Sequence, residues 1–411
     1  MYSTTTLIIG AGQCGLAMSF ELSKRSIDHL VLDAGRAGES WHSRRWDSLR
    51  LLTPNWMNTL AGQTHGPEDP DGFATARRFA SEFDNWVARH TPPLFTNTSV
   101  NSLSRLGEGC IAETNRGAIR CRSVVIATGA CARAKVPAFA SALPHRIEQF
   151  SPITYRSPLE LRSGSVLVVG ASASGLQIAQ ELAWSGRKVT LAVGSHGRLP
   201  RTYRDADILQ WMHLARVFDE PFTKVDDLER VRRTPSLPLI GTPERNDLNL
   251  DILQARGVEL VGRMMDIRDG KAQFSGGLFN SVSSAELKMN RLLDRIDTWI
   301  SDRGFDDMVA PPQRFAPTIV PADPRLAIDL TEFDTVIWAT GFNPDHRFVQ
   351  IPVFDRKGRI QHQGGIVEHG LYVMGLPFLR TSRSVHIDGA TRDAKALARQ
   401  ICIQLNQPLA A

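Results

Sequence analysis

Apolar residues in this chain fall in short unbroken runs, each followed by a glycine-rich turn or a longer amphipathic stretch. Residues 5–9 form such a run, and continuous apolar side chains predict a strand buried on both faces of a parallel sheet. From 13 to 25 the pattern changes, and Leu16, Phe20 and Leu22 fall near one side of a helix. Leu30-Val31-Leu32 restores the strand pattern, and Asp33 ends it. Together these make a βαβ unit of about thirty residues. The order then returns. Residues 166–169 predict a strand, and 173–185 a helix with Leu176, Ala179, Leu182 and Ala183 inward. Gly186 suits its C-terminal cap, and 189–193 predict the next strand.

Two more apolar runs end in matching turns. Val124-Val125-Ile126 leads into Ala127-Thr128-Gly129, and Val336-Ile337-Trp338 leads into Ala339-Thr340-Gly341-Phe342. The pair brackets the second βαβ unit, so one domain is expected inside another. Residues 1–155 and 326–411 would form the outer domain and 156–325 the inserted one. Residues 205–215 and 284–301 have helical spacing, the latter directing Leu287, Leu292, Ile296 and Ile300 inward. The stretches 235–249 and 311–324 are rich in proline, with Asn and Asp scattered through them, and predict loops. Residues 370–375 predict a strand between glycines. Residues 388–405 predict a helix carrying Ala390, Ala394, Leu397, Ala398 and Ile401, with Asp388 as its N-cap. The fold class is therefore α/β, with two Rossmann-like units.

Each unit carries a glycine fingerprint at its first strand-to-helix turn. The first is Gly10-Ala11-Gly12-Gln13-Cys14-Gly15, and the second, 160 residues on, is Gly170-Ala171-Ser172-Ala173-Ser174-Gly175. Such a turn lets the backbone approach a pyrophosphate and aims a helix N-terminus at its charge. Asp33 stands 18 residues after Gly15, where a carboxylate accepts hydrogen bonds from a ribose. Ser172 occupies the middle glycine position of the second turn, small enough for close approach and able to donate its hydroxyl. Two dinucleotides held together imply electron transfer between them.

Composition narrows the alternatives. A chain of 411 residues suits two or three domains, and 42% hydrophobic with 22% charged residues is ordinary for a globular protein. The net charge of +5 could favour anionic ligands, but its basic clusters (Arg44-Arg45, Arg77-Arg78, Arg232-Arg233) are only pairs, which argues against nucleic-acid binding. The five cysteines (Cys14, Cys110, Cys121, Cys131 and Cys402) are odd in number and lack a CxxC pair, so a disulfide framework, a metal site and a dithiol redox centre are all unsupported. No signal peptide and no apolar stretch of about 20 residues is evident, so a cytoplasmic protein off the membrane is expected.

Further short motifs join these in order: Trp41, Arg45-Trp46-Asp47-x-Leu49-Arg50-Leu51-x-Thr53-Pro54, Tyr155-Arg156-Ser157-Pro158 and Leu199-Pro200-Arg201. With both fingerprints and both Ala-Thr-Gly turns, the chain resembles the FAD-containing, NAD(P)H-dependent monooxygenases. Within them it is most similar to the bacterial flavin monooxygenase-like oxidoreductases related to plant YUCCA-type enzymes, over nearly its whole length. The resemblance implies a flavoprotein with two dinucleotide-binding domains, in which an NAD(P)H-binding Rossmann-like domain with a helical insertion interrupts an FAD-binding one. It implies that Gly10, Gly12, Gln13, Cys14 and Gly15 hold the FAD pyrophosphate, with Asp33 on the ribose. Trp41, Arg45, Trp46, Thr53 and the turn Ala127, Thr128, Gly129 would line the flavin site, with Gly375 passing the ring. Gly170, Ser172, Ser174 and Gly175 would hold NAD(P)H, and Ala339, Thr340 and Gly341 complete the cofactor set. The second unit ends in Val193-Gly194-Ser195, with neither acid nor arginine; Arg198 and Arg201 follow, so NADPH is expected, with NADH tolerated.

The implied reaction is oxygenation of a small organic substrate by O2 through a C4a-(hydro)peroxyflavin. An apolar wall of Trp41, Trp46 and Trp56 would exclude water from it. The chain departs from the family in two places. Ser151 stands where aligning on Tyr155-Arg156 would put a fingerprint histidine. Leu51-Leu52-Thr53-Pro54 lacks the asparagine that several relatives place just before the proline, leaving Asn55 and Asn58 as the nearest catalytic candidates. The alternative is a reductase or oxidase with the same cofactors, passing electrons to a quinone, disulfide or protein partner without oxygenation; the missing CxxC weakens its disulfide version. A non-catalytic nucleotide-binding module is the third reading. Substrate identity and oligomeric state, a homodimer included, stay open.

Overall fold

The structure, a computed structural model, describes residues 2–64 and 66–406. The chain opens with β1 (Tyr2–Ile9), α1 (Gln13–Ser23) and β2 (His29–Leu32). Then come α2 (Ala76–His90), β3 (Leu94–Phe95), β4 (Val100–Leu106), β5 (Gly109–Thr114) and β6 (Gly117–Ile126). β1 lies between β2 and β6 and parallel to both, Ile9 facing Leu32 on one side and Ile126 on the other. The apolar run therefore buries both faces. Ile8 packs toward α1 with Leu16, Met18 and Val31, while Leu7 and Ile9 pack with Leu103 and Ile119 on the other face.

A second, five-stranded parallel sheet follows. Its elements are β7 (Glu148–Phe150), β8 (Val166–Val169), α3 (Ala173–Trp184), β9 (Val189–Ala192), α4 (Ile208–Leu214), β10 (Glu259–Val261), α5 (Leu278–Ser301) and β11 (Thr335–Trp338). The sheet order is β10-β9-β8-β11-β7. The chain then rejoins the first sheet through β12 (Ile366–Glu368) and β13 (Leu371–Val373), β13 pairing parallel with β6, and ends in α6 (Ile387–Gln404) packed on α1.

The inserted sheet thus runs from 148 to 338, wider than the expected 156–325. β11, placed by its sequence in the returning part, pairs with β8 and β7 instead. A strand buried on both faces fits either sheet equally well, and only long-range pairing decides. The crossover lies just beyond it, where Phe342 and Asn343 pair antiparallel with Ala134 and Arg133.

Three elements shift from expectation. α5 begins six residues before the predicted start and buries Leu278, Val282, Ala285, Met289, Leu293, Ile296 and Ile300, whereas Leu287 is 60% exposed. The predicted steps of four and five placed Leu287 off the true stripe. α6 begins one residue early, so Asp388 lies in its first turn and accepts from Arg383 Nη1 at 2.6 Å rather than capping the helix. The helix predicted from 205 starts at Ile208, where Asp207 accepts from the Leu209 N–H at 2.8 Å and caps it.

Candidate functional site

Both glycine turns have the same construction. Gly10 has φ +109°, and a Cβ there would lie 2.6 Å from the Ala127 carbonyl oxygen; a Cβ on Gly15 would lie 1.7 Å from the Gly10 carbonyl oxygen. In the second turn Gly170 has φ +113° and faces the Ala339 carbonyl at 2.4 Å, and Gly175 faces the Gly170 carbonyl at 1.8 Å. These four glycines are needed for close packing of helix on strand. The middle position differs. Among the described residues nothing comes within 4 Å of a Cβ on Gly12, so that position opens outward. No side chain caps α1 or α3 among the described residues, and both helix N-termini offer unpaired N–H groups.

The first turn is surrounded by donors. Gly38 N–H donates to the Ala11 carbonyl at 2.9 Å, tying the segment that carries Trp41 to the turn. Trp41 Nε1 and Thr128 Oγ1 are buried without a hydrogen-bond partner among the described residues, whereas His42 Nε2 lies 3.7 Å from Asp84 Oδ1 on α2. The Arg45 guanidinium stacks 4.7 Å over the Trp41 ring and has no carboxylate partner among the described residues, and burial holds it below its usual range. Unmatched donors beside an uncapped helix fit an anionic group such as a dinucleotide diphosphate. Asp33 is fixed at the end of β2, its Oδ2 accepting from Ala11 N–H at 2.7 Å and its Oδ1 from Gly35 N–H at 2.8 Å. Burial raises its carboxyl, against the pull of those two N–H groups. Gly375 closes the far side, where a Cβ would meet Cys14 Sγ at 3.0 Å and Gly129 Cα at 3.7 Å. Burial pushes the Cys14 thiol up to about 12, which makes it a poor nucleophile.

The three tryptophans of the 41–58 segment do not form one wall. Trp41 packs edge-on against Phe79 at 4.8 Å, and Trp56 meets His213 at 5.1 Å. Trp46, expected on the flavin site, is buried in the core of the second sheet with Tyr155 and Val166. Composition alone could not separate these environments, because an indole suits any of them. The asparagines are likewise committed. Asn55 accepts from Ala74 N–H at 3.0 Å and donates to the Asp69 carbonyl at 2.8 Å. Asn58 accepts from Thr53 Oγ1 at 2.5 Å and donates to the Thr53 carbonyl at 2.9 Å, with both residues buried. Both amides therefore brace the loop they sit in.

Around the second turn, Ser172 turns its hydroxyl to Ser236 at 2.9 Å. Ser174 lies on the first turn of α3, and Thr340 Oγ1 donates to the Lys135 carbonyl at the crossover. Arg198 and Arg201, expected to meet NADPH, are spent on internal pairs. Arg198 holds Glu286 at 2.9 Å and Asp251 at 3.4 Å. Arg201 is fully buried and holds Asp207 with both Nε and Nη2. The cation beside the end of β9 is Arg263, which the sequence reading missed. Its Nη2 donates to Ser195 Oγ at 3.1 Å, its Nε lies 3.5 Å from a Cβ placed on Gly194, and it is exposed with no acidic partner among the described residues. It arrives there through the β9–β10 pairing of Ala192 with Val261, a contact no local pattern reveals. His196 Nδ1–H donates to the Ala171 carbonyl at 2.8 Å, and burial holds the ring below its usual range.

Among the described residues no helix is long and apolar enough to cross a membrane, and no group of His, Cys, Asp and Glu could hold a metal ion. A family model described as pyridine nucleotide-disulphide oxidoreductase matches residues 7–214. The chain is 30% identical over 399 residues to an uncharacterized CzcO-like oxidoreductase of Geobacillus kaustophilus, covering 96% of this chain and 97% of that one. It is 27% identical over 311 residues to the probable indole-3-pyruvate monooxygenase YUCCA10 of Arabidopsis thaliana, covering 69% of this chain and 76% of that one. The structure of a flavin-containing monooxygenase from Stenotrophomonas maltophilia superposes with a TM-score of 0.66 at 20% identity, covering 98% of this chain and 100% of that one.

Proposed function

The chain belongs to the pyridine nucleotide-disulphide oxidoreductase family, and from that premise we propose that it is an FAD-dependent, NADPH-consuming monooxygenase acting on a small organic substrate. The reading assigns FAD to the glycine turn of the first sheet and NADPH to that of the second. FAD, reduced by NADPH, supplies the electrons with which O2 gives one oxygen atom to the substrate and the other to water.

The observation that carries the assignment is the pair of uncapped helix N-termini, each behind a glycine turn, on two sheets joined by the crossover at Arg133–Ala134 and Phe342–Asn343. In the first cradle Asp33 would take the ribose, the α1 N-terminus the diphosphate, and Arg45, Trp41 and Thr128 the remaining acceptors. In the second, Ser195 and Arg263 would meet the ribose 2′ group, and Arg263 has no acidic partner among the described residues, which supports NADPH over NADH. The lack of a CxxC pair speaks against the disulfide version of the reductase alternative. Five unpaired cysteines suit a reducing cytoplasm.

The test is oxygen accounting. Purified protein should be yellow, release FAD on denaturation and oxidise NADPH; with a substrate that accelerates this, 18O from O2 should appear in the product. A colourless protein that binds no flavin ends the proposal. So does complete recovery of the consumed O2 as hydrogen peroxide with every substrate that accelerates turnover.

A further inference from the structure

Serine is among the best N-cap residues because its hydroxyl can accept from the N–H groups of the first helical turn. Ser172 stands at the N-cap of the twelve-residue α3 yet makes no such bond. Its hydroxyl points the other way, to Ser236, lying 2.9 Å from Ser236 Oγ and 3.2 Å from the Ser236 carbonyl oxygen. The first-turn N–H groups of α3 are left for another acceptor.

Ser236 is not placed there by chance contact of a loose loop. The strap from 236 to 241 is anchored just beyond it. Gln177 Nε2, on α3 itself, donates to the Leu239 carbonyl at 2.7 Å in a buried bond. Gly241 is wedged so tightly that a Cβ would lie 1.9 Å from the Leu51 carbonyl oxygen. Ser236 therefore stands exposed beside the glycine turn, close in sequence to the buried anchor at Leu239.

We propose that Ser236 is a ligand of the nucleotide diphosphate at the second cradle, acting with Ser172. This rests on the reading that the second turn binds NADPH. Two hydroxyls 2.9 Å apart form a matched pair of rotors. When Ser172 donates to the Ser236 carbonyl, the Ser236 proton is free to point at a phosphate oxygen; when Ser172 gives up that bond and turns its single proton toward the turn, the two hydroxyls donate to the phosphate together. Both then supplement the α3 N-terminus, and the diphosphate gains charge-assisted bonds that Ser172, standing in place of a glycine, could not give alone.

Equilibrium binding to the FAD-loaded protein tests this, with NADPH and 2′-AMP as probes; 2′-AMP carries the adenosine and 2′-phosphate but no diphosphate. Ser236→Ala should raise the NADPH Kd about tenfold, the loss expected for one hydrogen bond to a charged group. It should leave 2′-AMP binding within about twofold, well under the factor of ten that 1.4 kcal/mol represents. The FAD spectrum should not change. NADPH binding that stays the same or tightens overturns the proposal. So does equal weakening of both probes, which marks a general distortion of the pocket. If the unmodified protein shows no saturable binding of NADPH or NADH, the underlying assignment of the second turn fails instead.

Discussion

Arg201 Nη1 donates to the Leu52 carbonyl oxygen at 2.7 Å, across 149 residues of sequence. The guanidinium also lies 4.7 Å over the Phe73 ring, and its other nitrogens hold Asp207. One fully buried cation therefore joins the stretch between β2 and α2 to the cap of α4 in the inserted part. Burial pulls the guanidinium below its usual range and Asp207 pulls it back. A group placed this way braces the junction between the two nucleotide units and has no face left for a ligand.

Arg201→Ala should therefore act on stability. Removing one partner of a buried ion pair typically costs about 3–5 kcal/mol, because the other charge is left unpaired. Thermal unfolding should show a large loss, and the NADPH-to-NADH preference of whatever folds should stay unchanged. A well-folded Arg201→Ala protein with a selective defect toward NADPH would return this residue to the cofactor site.

Arg263→Ala should do the reverse. The side chain is exposed and lacks an acidic partner among the described residues, so its loss should leave the melting temperature nearly unchanged. The KM for NADPH should rise roughly tenfold, in line with one charged hydrogen bond lost, while that for NADH stays level. Steady-state kinetics with both nucleotides decides it; parallel changes in the two KM values would remove Arg263 from the 2′-phosphate.

The contrast between these arginines shows what a linear pattern can carry. Both glycine turns, their flanking strands and helices, and Asp33 were readable because each is a local device within about thirty residues, where a tight turn needs glycine and a buried strand needs an apolar run. Arg198 and Arg201 misled because proximity in sequence to the second unit says nothing about carboxylates arriving from Asp251, Glu286 and Asp207. Arg263 and Ser236 were invisible for the mirror-image reason, since each reaches its partner by a long-range path, through β10 and through the strap. Trp46 and the asparagines follow the same rule. Their residue types fit a flavin wall or a packed loop equally, and only the neighbours decide.

Gly12 and Gly15 should separate cofactor binding from folding. A Cβ on Gly15 would sit 1.7 Å from backbone, so Gly15→Ala should give little folded protein. A Cβ on Gly12 meets nothing within 4 Å among the described residues, and its φ of −76° suits alanine. Gly12→Ala should fold and yet bind FAD weakly, because the added methyl occupies the approach to the α1 N-terminus. Circular dichroism and flavin content measured together check this. Full flavin occupancy in folded Gly12→Ala would move the FAD site elsewhere.

Asp393 on α6 gives the fold a pH dependence of unusual sign. The residue is 4% exposed and its Oδ2 has no hydrogen-bond partner among the described residues; Arg380 reaches Oδ1 only at 4.0 Å. Burial raises the carboxyl to about 6, against smaller downward pulls from the Ser384 side chain and Arg380. In the unfolded chain the same group ionises near about pH 4. Between those values the folded state holds a proton that the unfolded state has released, so stability falls as pH rises through this window and levels off above about 6. A shift of about two pH units corresponds to roughly 3 kcal/mol, which is the upper limit of the penalty at neutral pH. Asp393→Asn keeps the shape without the charge. It should melt higher than the unmodified protein at pH 8, and the gap should narrow as the pH is brought down to 5. Equal gaps at both pH values, or a lower melting temperature for the asparagine variant at pH 8, would show that the buried carboxylate is stabilised by its surroundings when ionised.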